Sequence, residues 1–214
     1  MGNQSATVAP GREVIYFAYD ALNRLSSVRA DAFGVDATTY YAYDPVGSRT
    51  RITDAESHTT YFAYDALDRL IWERDALGKT EYYAYDAMGN LTQLTNWDGQ
   101  TTYYTYDALN RRTDIHFPEG YYPSFGYDAA GNLTSAFNPY EGNSFTYDAL
   151  NRPTAREISY FGSLYFEYDL AGRRTRVQDA KGGVVYYTYD KRGLITQVYS
   201  PLGSKWLRCQ APIS

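Results

Sequence analysis

Aromatic residues alternate with small residues along short runs of the chain, and each run ends in residues that favour turns. In one such run Tyr83 and Tyr85 flank Ala84, and the turn formers Asp86 and Gly89 follow. A period of two is typical of a β-strand that packs on one face. No part of the repeats has helical periodicity of useful length. The pattern therefore predicts an all-β fold of repetitive antiparallel β-hairpins.

A Tyr-Asp pair recurs nine times, at spacings of 20 to 24 residues and most often 21. The pairs are Tyr19-Asp20, Tyr43-Asp44, Tyr64-Asp65, Tyr85-Asp86, Tyr106-Asp107, Tyr127-Asp128, Tyr147-Asp148, Tyr168-Asp169 and Tyr189-Asp190. A fixed period of this kind indicates a repeat architecture. We divide the chain into a flexible N-terminal lead-in (1–11), a β-hairpin array (12–199) and an irregular C-terminal tail (200–214).

The residue four places after each repeated tyrosine is always Gly, Asn or Asp, which tolerate a left-handed backbone. These residues are Asn23, Gly47, Asp68, Gly89, Asn110, Gly131, Asn151, Gly172 and Gly193. Asp opens type I turns, and a type I turn followed by a left-handed residue makes a three-residue hairpin loop with a bulge. We therefore predict nine hairpin turns, each of which begins at the repeated aspartate.

A second set of turns is predicted about ten residues after each repeated aspartate. Gly closes these segments, as at 75–78, 96–99, 179–182 and 200–203, whereas 117–120 and 138–142 look less regular. Each repeat then contains two strands and two turns.

The loop length also predicts a strand register. Tyr85 is expected opposite Leu91, Ala84 opposite Thr92, and Tyr82 opposite Leu94. An aromatic residue stands two places before every repeated tyrosine, so the two rings share a face. Cross-strand pairs of this kind stabilise a sheet by roughly 0.2–1 kcal/mol each.

Strand number predicts the form of the sheet. About eighteen strands at roughly 4.8 Å would be too wide for an open sheet, which rarely exceeds about ten strands without curling. We expect a curved or spiralling β-sheet. Its two free edges would be a liability in an isolated domain, which suggests that the natural protein is longer.

Charge and composition restrict the partners. The chain has 20 Lys and Arg against 25 Asp and Glu, a net charge of −5, which argues against nucleic acid. We find no apolar run long enough for a membrane span and no signal peptide at the N-terminus. Cys209 is the only cysteine, so no internal disulfide framework is expected.

The repeated motif, Tyr-Asp-x-x-Gly-Arg-Leu-Thr at a period of about 21 residues, resembles the RHS/YD-repeat family over nearly all of 12–199. That family includes bacterial Rhs polymorphic toxins, the B and C components of Tc toxins, wall-associated proteins and teneurins. The resemblance implies hairpins wound into a hollow shell, which in bacterial members encloses a toxic C-terminal domain. Bacterial shells end in an Asp-Pro-x-Gly-Leu motif, but the nearest segment, 200–204, lacks both the Asp and the Leu.

Candidate chemistry is sparse. Nine aspartates invite a metal or acid–base role, but they occur one per hairpin and are better explained as turn initiators. His58 and His116 lie near turns without a Cys/His cluster, and Cys209 has no nearby base. We therefore predict no catalytic, metal or cofactor site.

Two roles remain for side chains other than the turn aspartates. Trp72 and Trp97, with the tyrosine rows, are candidates for stacking on glycans. The arginines after the turns are expected over neighbouring rings or paired with the turn aspartates. These arginines are Arg24, Arg69, Arg111, Arg152 and Arg173.

Two functions follow from these observations. The first is a non-enzymatic structural segment of a shell that encapsulates or presents a toxin or effector. Its partners would be the remainder of a longer RHS chain or the enclosed domain, and it would be secreted or displayed on the cell surface as part of an exported chain. The alternative is an adhesion module that binds a glycan or a cell-surface receptor through its aromatic rows.

Overall fold

The computed structural model describes residues 4–8, 14–32 and 35–201, and these residues form nineteen strands and no helix. All described strand pairs are antiparallel and join strands that follow one another in sequence. The prediction of an all-β fold of repetitive hairpins is confirmed. The chain divides into two compact units, Met1–Tyr104 and Thr105–Ser214.

The first unit contains the strands that precede the fifth Tyr-Asp pair. They are β1 (Gln4–Val8), β2 (Val14–Tyr19), β3 (Leu25–Ala32), β4 (Val35–Tyr43), β5 (Arg49–Thr53), β6 (Thr59–Tyr64), β7 (Leu70–Arg74), β8 (Thr80–Tyr85) and β9 (Leu91–Thr95). Strand β10 (Thr101–Tyr106) pairs with β9 and crosses the boundary between the units.

The second unit continues the same hairpin order. Its strands are β11 (Arg112–His116), β12 (Ser124–Tyr127), β13 (Leu133–Phe137), β14 (Gly142–Tyr147), β15 (Pro153–Ile158), β16 (Gly162–Tyr168), β17 (Arg174–Asp179), β18 (Val184–Tyr189) and β19 (Ile195–Tyr199).

The N-terminal segment differs from the prediction of a flexible lead-in over 1–11. Residues Gln4–Val8 form β1, which pairs with β2 in a register that places Gln4 opposite Ala18. Pairing of this strand satisfies the backbone groups along one edge of β2, which would otherwise be free. The predicted tail over 200–214 lies outside the described residues from 202 onwards.

The predicted strand register is correct for the pair beside the turn and wrong for the pairs farther from it. Tyr85 lies opposite Leu91 as expected, but Ala84 lies opposite Gln93 and Tyr82 opposite Thr95. Thr92 is an extra residue, so the hairpin contains a β-bulge that shifts all later pairs by one. The same irregularity occurs before Tyr19, Tyr43, Tyr64, Tyr127, Tyr147, Tyr168 and Tyr189.

The bulge changes which residues share a face. In β8, Tyr83 and Tyr85 are half-buried, whereas Tyr82 and Ala84 are exposed. Because of the shift, Tyr83 lies opposite Leu94, so both half-buried tyrosines of β8 lie opposite a leucine. We call the face of the sheet that carries Tyr83 and Tyr85 the packed face.

No hydrophobic side chain among the described residues is fully buried. The fold therefore has no thick core there, and neighbouring strands stabilise one another through half-buried side chains and backbone pairing. The structure contains no helix in its described part that is long and apolar enough to cross a membrane.

Candidate functional site: the Tyr-Asp turn and its contacts

The repeated turn has the same two backbone hydrogen bonds throughout. In the turn that starts at Asp86, the Asp86 N–H donates to the Asn90 carbonyl at 3.0 Å, and the Gly89 N–H donates to the Asp86 carbonyl at 3.2 Å. Gly89 has a φ of 90°, and all nine predicted left-handed positions have a positive φ. The predicted hairpin loop is therefore present in every repeat, and we call it the Tyr-Asp turn.

The aspartate side chain holds the turn together. Oδ1 of Asp65 accepts the backbone N–H groups of Leu67 at 2.9 Å and Arg69 at 3.0 Å. Oδ2 of Asp65 accepts the Arg69 Nε at 2.7 Å. The Arg69 side chain and these N–H groups lower the pKa of Asp65 below its ordinary value. Both oxygens therefore have partners within the turn, and the lowered pKa keeps the carboxylate ionised.

The same direction of pKa shift holds in most repeats. Hydrogen bonds within the turn lower the pKa of the aspartates at Asp20, Asp86, Asp107, Asp128, Asp148, Asp169 and Asp190.

Arginine links each turn that carries it to the following repeat. Nη1 of Arg69 donates to the carbonyl of Asp86 at 2.9 Å, while the guanidinium lies 4.8 Å from the centre of the Tyr85 ring. One side chain thus makes an ion pair in its own turn, and a hydrogen bond and a cation–π contact in the next. Both roles expected for these arginines are confirmed. The equivalent contacts start from Arg24, Arg111, Arg152 and Arg173.

The repeated tyrosine makes the reverse connection. The Tyr85 hydroxyl donates to the carbonyl of Leu70 in the preceding hairpin at 2.9 Å. Burial raises the pKa of Tyr85, so the hydroxyl keeps its proton and remains a donor. Equivalent bonds start from Tyr43, Tyr64, Tyr127, Tyr147, Tyr168 and Tyr189. Together, these tyrosine and arginine contacts form what we call the inter-hairpin staple.

Some repeats replace the arginine. Nδ2 of Asn90 donates to Oδ2 of Asp86 at 2.9 Å, and Nδ2 of Asn132 donates to Oδ2 of Asp128 at 2.8 Å. The amide retains the bond to the aspartate within the turn, but it is too short for the stacked contact that the guanidinium makes. The tyrosine part of the staple still joins Tyr147 to Leu133 next to the Asn132 turn, at 2.8 Å.

The remaining candidates are scattered. Trp72 is a half-buried strand residue with the Arg74 guanidinium 5.2 Å from its ring centre, and Trp97 lies in the turn between β9 and β10. His58 is exposed with Nδ1 3.2 Å from Asp54 Oδ2, and the ring centre of His116 lies 4.7 Å from that of Tyr122. Cys209 lies outside the described residues. Within the described ranges, no group of three or more His, Cys, Asp and Glu side chains is arranged to hold a metal ion.

One acidic pair was missed by the sequence analysis. Glu73 and Glu81 lie directly opposite each other on β7 and β8, and the Tyr83 hydroxyl donates to Glu81. Burial, followed by the charge of Glu81, raises the pKa of Glu73. Counting outward from the turn at 75–78 would have placed the two glutamates opposite each other, because this turn adds no bulge.

The sequence of the chain matches one known protein family. A family model described as RHS Repeat matches residues 64–101, 127–159 and 168–205, together about half of the chain. No curated protein matches the sequence.

Solved structures share the fold. The crystal structure of TcdB2-TccC3-Cdc42 is similar with a TM-score of 0.63 and 16% identity over 88% of this chain. The Tc holotoxin pore of Photorhabdus luminescens with a mutated TccC3 is similar with a TM-score of 0.59 and 16% identity over 87% of this chain. The crystal structure of TcdB2-TccC3 is similar with a TM-score of 0.62 and 15% identity over 91% of this chain. This chain spans only 12–14% of the length of those chains, and identity at this level shows the fold alone.

Proposed function

Because the chain belongs to the RHS repeat family, we propose that it is a non-enzymatic segment of a shell wall that encloses or presents a C-terminal toxin or effector domain. A structural RHS segment is the part of this proposal that the family match and the shared fold support directly. We propose in addition that the chain helps to enclose another domain, that it is exported or displayed on the cell surface, and that it has no catalytic activity.

The inter-hairpin staple is the observation that carries the proposal. It gives the polar groups of Asp65, Arg69 and Tyr85 partners within the hairpin array itself. The same contacts recur in phase with the repeat. Contacts that join each hairpin to the next build a continuous surface. Such a surface would protect a cargo by keeping other molecules away from the cargo. The proposed mechanism is therefore steric.

The partners would be the remainder of a longer RHS chain and the domain that it encloses. The similar solved chains are several times longer than this one, and one of them belongs to a Tc holotoxin pore. A wall of hairpins would keep the enclosed polypeptide away from proteases and from the contents of the producing cell until delivery.

Limited proteolysis of the full reading frame that contains these repeats tests the proposal. In the intact protein we expect a downstream effector domain to resist digestion that degrades the same domain expressed alone. Replacement of Tyr85 and Tyr64 by Phe weakens two staples and should raise the rate of effector cleavage. Replacement of the exposed Tyr82 and Tyr61 by Phe is the matched control and should leave the rate unchanged.

Equal cleavage rates for the enclosed and the free effector domain would contradict the proposal. Specific binding of a glycan to the chain, lost when Trp72 is replaced by Ala, would favour the adhesion alternative.

A further inference from the structure

Neighbouring hairpins of the second unit are joined by unequal amounts of backbone pairing. We call the pairing between the last strand of one hairpin and the first strand of the next a seam. The β13–β14 and β17–β18 seams each pair three residues, and the β15–β16 seam pairs four. Among the described residues, the β11–β12 seam pairs only one, Asp114 opposite Ser124. One seam of this unit is therefore much less well paired than the other three.

A proline accounts for part of this difference. Because Asp114 lies opposite Ser124, Ile115 lies opposite Pro123. The Ile115 N–H donates to the Pro123 carbonyl at 2.9 Å, but proline has no N–H to donate in return. In the β15–β16 seam the equivalent position, four places before the repeated tyrosine, is Leu164, which keeps its N–H. Of the nine repeats, only this one has a proline at that position.

The end of the β11–β12 seam next to the Tyr-Asp turns is closed by a complete staple. Nη1 of Arg111 donates to the Asp128 carbonyl at 2.9 Å, and the guanidinium lies 4.6 Å from the centre of the Tyr127 ring. The Tyr127 hydroxyl donates to the Arg112 carbonyl at 3.0 Å. These contacts are the same as at the better-paired seams, so here the staple carries a larger share of what holds β11 to β12.

The opposite end of the seam is held by aromatic rings. The ring centre of His116 lies 4.7 Å from that of Tyr122 across the seam, and Phe117 stacks on Tyr121 at 4.5 Å within the loop 117–123. Tyr122 is 55% exposed, so the ring contact across the seam is open to water. This end therefore adds little to the single residue pair.

An open cleft lies along the same seam. Its volume is about 370 Å³, and its walls are Tyr106, Asn110 and Arg112 on one side and Phe125 and Tyr127 on the other. One wall thus belongs to the β10–β11 hairpin and the other to β12. The side chains of the two hairpins do not fill the space between them, so packing across the seam is incomplete.

We propose that the β11–β12 seam is a hinge at which the second unit opens locally, with the staple between Arg111 and Tyr127 as its clasp. A region with few backbone hydrogen bonds and little packing opens at a lower free energy than the rest of a fold. Opening this seam breaks one residue pair and a staple, whereas opening the β15–β16 seam breaks four pairs and a staple. The hinge is a property of the hairpins themselves and does not depend on what they enclose.

Residue-resolved hydrogen exchange on the whole chain tests the hinge. The Ile115 N–H reports on this seam, because it donates across it to the Pro123 carbonyl. We expect its protection factor to be at least about 10-fold lower than those of the N–H groups with which β15 faces β16. The reason is that each hydrogen bond that must break lowers the open population by a factor of roughly 2–12.

Two variants change the hinge in opposite directions. Tyr127→Phe removes the hydrogen bond of the clasp while the ring remains, and should lower the protection factor of Ile115 by roughly 2- to 12-fold. Pro123→Leu restores a backbone N–H with the residue type found at Leu164, and should raise the same protection factor by a similar amount.

Tyr168→Phe is the matched control. The Tyr168 hydroxyl makes the equivalent bond at the β15–β16 seam, to the Pro153 carbonyl at 2.8 Å. Its loss should leave the protection factor of Ile115 unchanged, and Tyr127→Phe should leave the N–H groups between β15 and β16 unchanged. The pair of variants separates local opening from a general loss of stability, which denaturant unfolding of each variant measures.

Three results would overturn the proposal. The first is an Ile115 N–H that is as well protected as the N–H groups between β15 and β16. The second is an equal loss of protection at both seams in the Tyr127→Phe variant, because the unit would then open as a whole. The third is a folded Pro123→Leu variant in which exchange at Ile115 is no slower than in the unmodified chain.

Discussion

At the residue scale, two side-chain classes satisfy the left-handed position of the Tyr-Asp turn, and they do so at different angles. Asn and Asp adopt a φ of 58° to 61°, whereas Gly ranges from 81° to 111°. A short polar side chain tolerates the first range, and only glycine reaches the second without strain. The alternation of these classes along the repeats therefore reflects two variants of one turn.

Replacement of Gly89 by Val should destabilise the protein by about 1–3 kcal/mol, because a β-branched residue is strained at positive φ. Space is not the cause, since a Cβ at Gly89 meets no other atom within 4 Å. Gly89→Asn is the matched control and should cost much less, because Asn23 and Asn110 occupy the same position of the turn at a φ of 61° and 60°. Denaturant unfolding measures the stability of both variants. Equal losses of stability would show that strain at a left-handed backbone position does not explain the effect of Gly89→Val.

Acid should destabilise the fold through the turn aspartates. The pKa of Asp65 is lower in the folded protein than its ordinary value of 3.8, and seven other turn aspartates shift in the same direction. A carboxylate with a lowered pKa stabilises the folded state above its unfolded pKa, and this contribution is lost as the pH falls through the folded value. Glu73 acts in the opposite sense, because protonation removes the cost of burying its charge.

We expect the thermal midpoint of unfolding to fall steeply below about pH 4. In the Asp65→Asn variant the midpoint should fall less over the same pH range, because one titrating carboxylate is absent. Asparagine keeps the turn closed, since Oδ1 of Asn96 accepts the N–H groups of Asp98 and Gln100, each at 3.0 Å. A midpoint that stays constant from about pH 5 to pH 2.5 would contradict this account.

At the element scale, the hairpin is the unit, and its staple contacts join each hairpin to the next. The sequence predicts the hairpins, their turns and the shared face of Tyr83 and Tyr85, because these depend on local backbone preference and a period of two. It does not reveal the bulge at Thr92, because threonine suits an ordinary strand position equally well. Nor does it reveal the carbonyl that accepts the Tyr85 hydroxyl, since backbone acceptors leave no signal in a side-chain pattern.

Replacement of Tyr85 by Phe should destabilise the protein by about 0.5–1.5 kcal/mol, because the bond to the Leu70 carbonyl is lost while the ring remains. Tyr82 on the same strand is 48% exposed, so Tyr82→Phe should be close to neutral. Unfolding in urea measures both variants. A loss in the double variant Arg69→Lys, Tyr85→Phe that differs from the sum of the single losses would show that the two staple contacts are coupled.

At the scale of the whole molecule, stability is a sum over neighbouring hairpins rather than the property of one core. No described hydrophobic side chain is fully buried, and every described strand pair joins consecutive strands. Repeat proteins of this kind gain stability from each interface between neighbours and tolerate changes in repeat number. Removing a whole repeat should therefore shorten the array and leave its architecture unchanged.

Deletion of residues 65–85 tests this directly, because it joins Tyr64 to Asp86 and restores a Tyr-Asp turn. We expect the same β-rich circular dichroism spectrum with a lower thermal midpoint, since one staple and two strand pairs are lost. Deletion of 65–84 is the control, because the one extra residue reverses the face of every side chain between Thr59 and Tyr64 relative to the following strand. If the shorter deletion were as stable as the longer one, alternation between the two faces would not be what holds the array together.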